Sequence, residues 1–270
     1  MTLDNRDANL LLSQQGSDGI LRLTLNDPNR RNALSEVMLA ALDEAFDRAG
    51  DDPSVRVIIL AAAGPVFCAG HDLKEMTTGR QNADRGRAYF TKVLNQCSFV
   101  MQKIVTCPKP VIAEIAGIAT AAGCQLVASC DLAVASETAQ FCTPGVHIGL
   151  FCSTPMVALS RNLANKHVME MLLTGENVSA WRAAEMGLVN QVVPSIHLSN
   201  ASMALAEKIA AKSILTVATG KRAFYQQKEM DLATAYNYAS EIMVENMLAR
   251  DAEEGIAAFI EKRAPDWCDE

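Results

Sequence analysis

The sequence holds eight cysteines, from Cys68 to Cys268, yet no two of them are spaced CxxC. That lack removes the usual zinc-ribbon and thiol-exchange motifs, and no metal site is expected. A basic surplus is missing too. The formal net charge is -7, which argues against nucleic acid as the main partner, because phosphate binding needs a basic stripe. No apolar run approaches the roughly 20 residues that cross a bilayer, so no membrane partner is expected. There is also no repeat, low-complexity tract or long linker. One further absence is local: between Glu114 and Asp131 the chain carries no ionisable carboxylate. This gap falls on GIATAAGCQLVASCD, a Gly/Ala-rich turn of the kind that lets a ligand reach the backbone.

What is present describes a folded domain. Half of the 270 residues are hydrophobic and a fifth are charged, enough for one large domain or a domain with a helical appendage. Cys68, Cys124, Cys130 and Cys142 sit in apolar runs, where a reduced thiol acts as a small hydrophobe. A reducing, intracellular compartment follows. The opening MTLDNRDANLLL has two Asp and no long apolar stretch, which fits neither a signal peptide nor a presequence. A cytosolic, cytoplasmic protein is expected on these grounds.

ILRLTL (20–25) alternates as a half-buried strand, and DPNRRNAL follows as a turn. SEVMLAALDEAFDRAG reads as an amphipathic helix, with Ser35 its N-cap and Gly50 its stop. VRVIILAAAG is a buried strand, and a helical segment over about 85–107 ends at Pro108. PVIAEIAG and LAVAS are further buried strands. Strands separated by helices indicate an α/β fold with crossover connections. Helical patterns dominate after about residue 160, apart from GLVNQVV. An α/β body over 1–200 and a helical region over 201–270 are expected. Trp181 and Trp267 read as packing residues.

Two loops stand out. In VFCAGHDLKEM (66–76), Asp72 caps a new helix and Glu75 answers as its capping-box partner. The His71 N–H then faces outward. In the second loop, Ala122 and Gly123 open the helix that carries Gln125. Each loop alone is either an ordinary strand-to-helix turn or half of an oxyanion hole, since N–H groups at helix starts favour negative charge.

Their order and context resemble the crotonase, or enoyl-CoA hydratase/isomerase, superfamily. The resemblance rests on Asn32-Ala33-Leu34, FCAGHDLKEM at 67–76, and PKPVIAEIAG with AAGCQL within 108–126. It continues through CDLAVAS (130–136), FCTPGVHIGL (141–150) and AFIEKR (258–263). It implies a spiral of ββα units and a helical trimerisation region, hence a homotrimer or dimer of trimers. It further implies an acyl-CoA substrate whose thioester enolate is held by two backbone N–H groups, here His71 and Ala122. Coenzyme A arrives as part of the substrate, and no resident cofactor is implied.

The resemblance breaks at the acids. The two glutamates of the family's hydratases map onto Gln125 and Gly145, neither of which exchanges a proton near neutral pH. The aspartate of its dienoyl-CoA isomerases maps near Ser153. His71 and His147 are the candidate proton handlers in their place, and Gln125 is a candidate to orient water or the acyl group. Cys124 and Cys152 lack a base to activate them. The GHD turn resembles that of the family's methylmalonyl-CoA decarboxylases, although their tyrosine falls near Cys152. For the coenzyme, the resemblance implies backbone contacts from Ala33, Ala69, Asp72 and Leu73, and a phosphate contact from Lys74. Arg30 and Arg31 replace an upstream lysine near Asn29, and Phe259 and Lys262 supply C-terminal contacts. Three functions stay open: hydratase/isomerase-type enolate chemistry with weak crotonyl-CoA hydration, decarboxylation of a malonyl-type thioester, and acyl-CoA binding without turnover.

Overall fold

The structure, a computed structural model, describes residues 10–270. The reading of the opening stretch as free of targeting signals falls largely on residues 1–9, outside the described residues. Strands β1 (Leu11–Gln15) and β2 (Ile20–Leu25) pair antiparallel. Helix α1 (Glu36–Asp51) leads to β3 (Val57–Ala62) and β4 (Val66–Cys68), then α2 (Leu73–Gly79) and α3 (Arg87–Thr106). Next come β5 (Val111–Ile115), β6 (Ile118–Thr120) and α4 (Ala122–Ser129). They are followed by β7 (Leu132–Ser136), β8 (Gln140–Cys142), α5 (Ser153–Ser160) and α6 (Asn165–Thr174). β9 (Val178–Ser179), α7 (Ala180–Met186) and β10 (Gln191–Val193) precede α8 (Leu198–Ala210), α9 (Ile214–Gln227), α10 (Leu232–Met247) and α11 (Arg250–Glu261).

The strands form two sheets, ordered β1-β2-β3-β5-β7-β10 and β4-β6-β8-β9. In each pair β3/β4, β5/β6 and β7/β8, the first strand joins the large sheet and the second the small one. Neighbours within each set run parallel. Each pair returns through helix, so the chain advances as a spiral of ββα units. The expected α/β spiral with a helical C-terminal region is what the chain forms.

The pattern of β3 explains its central place. Ile58 and Leu60 enter the main core, while Val57 and Ile59 enter a second core on the opposite face, closed by Leu198 and Ala206 of α8. A strand buried on both faces reads as continuous apolar sequence. Each such side chain contributes about 1.5–3 kcal/mol of burial. α1 lies on the main core through Leu39, Leu42 and Phe46. Ser35 Oγ accepts from Met38 N at 3.2 Å, as an N-cap should. The helix runs through the expected stop at Gly50 to Asp51, and extended backbone at Asp52 ends it.

The carboxylates on either side of the acid-free gap are engaged elsewhere. Arg22 donates from Nη1 and Nη2 to the two oxygens of Glu114 at 2.8 Å each, and Ser202 donates to the same carboxylate. Asp131 accepts from Lys221 Nζ at 2.7 Å, Val111 N at 2.7 Å and Tyr225 OH at 2.9 Å. Both tie C-terminal helices to the large sheet. Trp267 packs as expected and donates to the Ala211 carbonyl at 3.0 Å. Trp181 does not: it lies on the outer face of α7, 59% exposed.

Candidate active site

The first turn is built by register between distant segments. Leu34 N donates to the Gly70 carbonyl at 2.8 Å and Ala69 N to the Arg31 carbonyl at 3.0 Å. This lashes the 31–34 loop to the end of β4. Buried Asn32 holds that loop: its Nδ2 donates to the Ala63 and Val66 carbonyls at 2.9 and 2.7 Å, and its Oδ1 accepts from Asp27 N at 2.7 Å. Gly70 sits at φ +81, a conformation suited to glycine. Asp72 then caps α2, accepting from Lys74 N at 2.8 Å and Glu75 N at 3.3 Å. The expected capping box is only half formed. Glu75 accepts instead from Glu36 N at 3.1 Å, because the start of α1 packs closer to it than its own N-cap amide.

The second turn follows β6. Ala121 N donates to the Cys142 carbonyl at 2.9 Å, and Ala121 takes φ 52, ψ -119. That left-handed backbone is costly for a residue with a Cβ, and it sets the direction of the next amide, Ala122 N. This amide is the first of the helix-start N–H groups that α4 cannot satisfy internally. Among the described residues, neither His71 N nor Ala122 N donates to a carbonyl. The two turns meet. A Cβ placed on Gly70 would lie 3.1 Å from Ala122 N and 3.2 Å from the Thr120 carbonyl oxygen.

Both turns open on a cavity of about 540 Å³. His71, Ala122, Ala69, Leu73 and His147 line it, together with Gly145 and Cys152. Sequence reasoning missed much of the rest of the wall, including Met76, Arg80, Phe90, Leu94, Ile148, Leu150 and Phe151. Among the described residues, no Asp or Glu lines the cavity. Gln125, 4% exposed on α4, does not line the cavity, and its Oε1 has no partner among the described residues. A side chain at 145 has little room, since a Cβ there would lie 3.0 Å from Cys152 Sγ and from the Leu150 carbonyl oxygen.

Burial pulls the His71 pKa down to about 4, so the ring is neutral at pH 7. Its Nε2 is buried without a partner among the described residues. The His147 Nε2 lies 2.8 Å from the Thr174 carbonyl oxygen. A carbonyl only accepts, so Nε2 carries a hydrogen. Burial pushes the thiols of Cys124 and Cys152 upward, which keeps them protonated.

The remaining positions lie outside the cavity wall. Ala33 is buried in the 31–34 loop, Asp72 is spent as a cap, and Lys74 is exposed on the first turn of α2. Arg30 pairs with Asp27 at 2.6 Å and approaches Asp72 at 3.8 Å. Phe259 (84% exposed) and Lys262 project from the end of α11.

The family model for enoyl-CoA hydratase/isomerase matches residues 15–270. Enoyl-CoA hydratase domain-containing protein 3, mitochondrial, of Rattus norvegicus is 50% identical over 257 residues, covering 95% of this chain and 84% of that protein. The Homo sapiens protein of the same name is 49% identical over 253 residues, covering 94% and 82%. Among solved structures, enoyl-CoA hydratase of Mycobacterium smegmatis superposes with a TM-score of 0.92 at 52% identity, covering 96% of this chain and 98% of that one. Human enoyl Coenzyme A hydratase domain-containing protein 3 gives 0.90 at 47%, covering 96% and 100%. These relatives correct the cytosolic expectation: five of them, 45–50% identical, are named mitochondrial. Unpaired cysteines do not choose among the compartments that keep thiols reduced, so composition carried no such choice. With the match spanning the spiral and the helical region alike, this chain belongs to the enoyl-CoA hydratase/isomerase family.

Proposed function

We propose that the protein binds an acyl-CoA in the 540 Å³ cavity and stabilises the enolate of its thioester. The approach of Gly70 to Ala122 N carries this reading, because His71 N follows Gly70 directly and neither amide donates to a carbonyl among the described residues. When a bond at the carbon next to the thioester carbonyl breaks, its electron pair moves onto the carbonyl oxygen. The N–H groups of His71 and Ala122 meet that charge, and donors of this kind are worth about 2.7–4 kcal/mol each. The His71 ring titrates too low to carry a proton near neutral pH. It lines the pocket as a neutral donor and acceptor. His147, with Nε2–H held by Thr174, offers Nδ1 as the base. Without a carboxylate in the wall, hydration of crotonyl-CoA is weak.

Coenzyme contacts follow from position: Ala69 and Leu73 at the cavity, Lys74 on α2, and Arg31 in the preceding loop. Phe259 and Lys262 then act from a neighbouring copy. An apolar surface supports self-association. Leu232, Tyr236, Leu248 and Ile260 are each at least 69% exposed on α10, α11 and the loop joining them. Exposed apolar patches of this kind mark interfaces, and we assign a homotrimer or a dimer of trimers. The test is a panel of CoA thioesters followed by mass spectrometry, with calorimetry for binding. Expected is tight binding of at least one thioester and crotonyl-CoA hydration at least about 100-fold below a two-carboxylate hydratase, the scale of a lost general acid or base. Ordinary hydratase turnover would refute the assignment of the acids. No heat with any CoA species would refute the whole reading.

A further inference from the structure

Among the described residues, Arg80 is the single lysine or arginine in the cavity wall, and no carboxylate lines that wall to balance it. It follows α2 directly, its N–H donating to the Met76 carbonyl at 3.0 Å. The seven residues of α2 separate it from Asp72, so its Cα lies about 10 Å along the cavity from the His71 turn. Its guanidinium carbon stands 5.1 Å from the centre of the Phe90 ring. That cation–π contact fixes the group over one wall. The loop behind it leaves no slack: a Cβ on Gly86 would lie 3.0 Å from Arg80 Cα and 2.8 Å from Phe90 Cζ.

Held this way, Arg80 has five N–H donors and, among the described residues, no side-chain hydrogen bond or ion pair beside its contact with Phe90. Arg80 is exposed, so its guanidinium stands at the rim where solvent meets an apolar cavity, free to turn its fork toward a bound anion. A saturated acyl chain gains nothing from such a group. A carboxylate does, because its two oxygens match the guanidinium fork.

We propose that Arg80 selects acyl-CoA thioesters whose acyl group ends in a carboxylate, the enolate turn holding one end and the guanidinium the other. The inference rests on the acyl-CoA reading above and adds the substrate class to it. A coenzyme phosphate is the other anion within the same chemistry, and free CoA separates the two sources.

The experiment is calorimetric binding of matched pairs to the full chain: butyryl-CoA against succinyl-CoA, hexanoyl-CoA against adipyl-CoA, and free CoA alone. Wild type is compared with Arg80→Met and Arg80→Lys. Expected is a preference of about tenfold or more for the carboxylated member of at least one pair. Arg80→Met removes the preference while free CoA and the methyl-terminated thioesters bind within about threefold of wild type, and Arg80→Lys keeps part of it. Equal affinities within both pairs would overturn the inference and leave the acyl-CoA reading intact. So would a loss in Arg80→Met shared equally by free CoA, which would assign the guanidinium to a phosphate. Failure of every CoA species to bind would overturn both.

Discussion

Gly123 on α4 stands against the backbone of Cys68 at the end of β4: a Cβ on Gly123 would lie 2.1 Å from the Cys68 carbonyl oxygen and 2.8 Å from its carbonyl carbon. Backbone cannot swing aside as a flexible side chain can. The start of α4 and the end of β4 are therefore set at a distance that only glycine permits.

Gly123→Ala forces these segments apart. Overpacking of this kind costs about 1–3 kcal/mol or more. Urea unfolding should show that loss, with acyl-CoA affinity reduced more than tenfold. Gly220→Ala is the control, since nothing lies within 4 Å of a Cβ there; it should bind normally and unfold no earlier.

Asn32→Ala removes three hydrogen bonds that reach Asp27, Ala63 and Val66 and puts alanine at φ 50. Unsatisfied buried partners cost about 1–3 kcal/mol each. An equilibrium stability loss of about 3 kcal/mol is expected. A loss below about 1 kcal/mol would show that the loop is held by something else.

His71 makes stability depend on pH. Burial takes its pKa from the ordinary 6.5 to about 4 in the folded chain, so the unfolded chain binds the extra proton. Its stabilising contribution is whole above about pH 6.5 and is lost as pH falls toward 4. Between pH 7 and 4.5 wild type should lose about 2–3 kcal/mol more than His71→Gln. Parallel pH profiles for the two proteins would contradict the buried, neutral ring.

The strands and long helices were legible because they carry clear periods: VIILAA is apolar throughout and α1 repeats every three to four residues. β1 was not, since LLSQQ pairs along one exposed edge and has no alternation. Asp72 as a cap could be read from Gly70 before it and the helical pattern after it. Glu75 could not, because its partner is the start of α1, brought to it by tertiary packing. The two Gly/Ala turns were visible locally, but their meeting depends on the pairing of β4 with β6. The same packing kept Gln125 off the cavity wall and put Arg80 and Phe90 on it. Neither of these two carries a local motif. The cavity's acid-free wall was foreshadowed by the gap between Glu114 and Asp131, and the structure accounts for both flanking carboxylates as ties to the C-terminal helices.

The most direct measurement is a crystal structure with a saturated acyl-CoA bound. The thioester oxygen should lie about 2.7–3.1 Å from both His71 N and Ala122 N, the reach of an oxyanion donor. An oxygen turned away from either amide, or a thioester seated outside this cavity, would contradict the account.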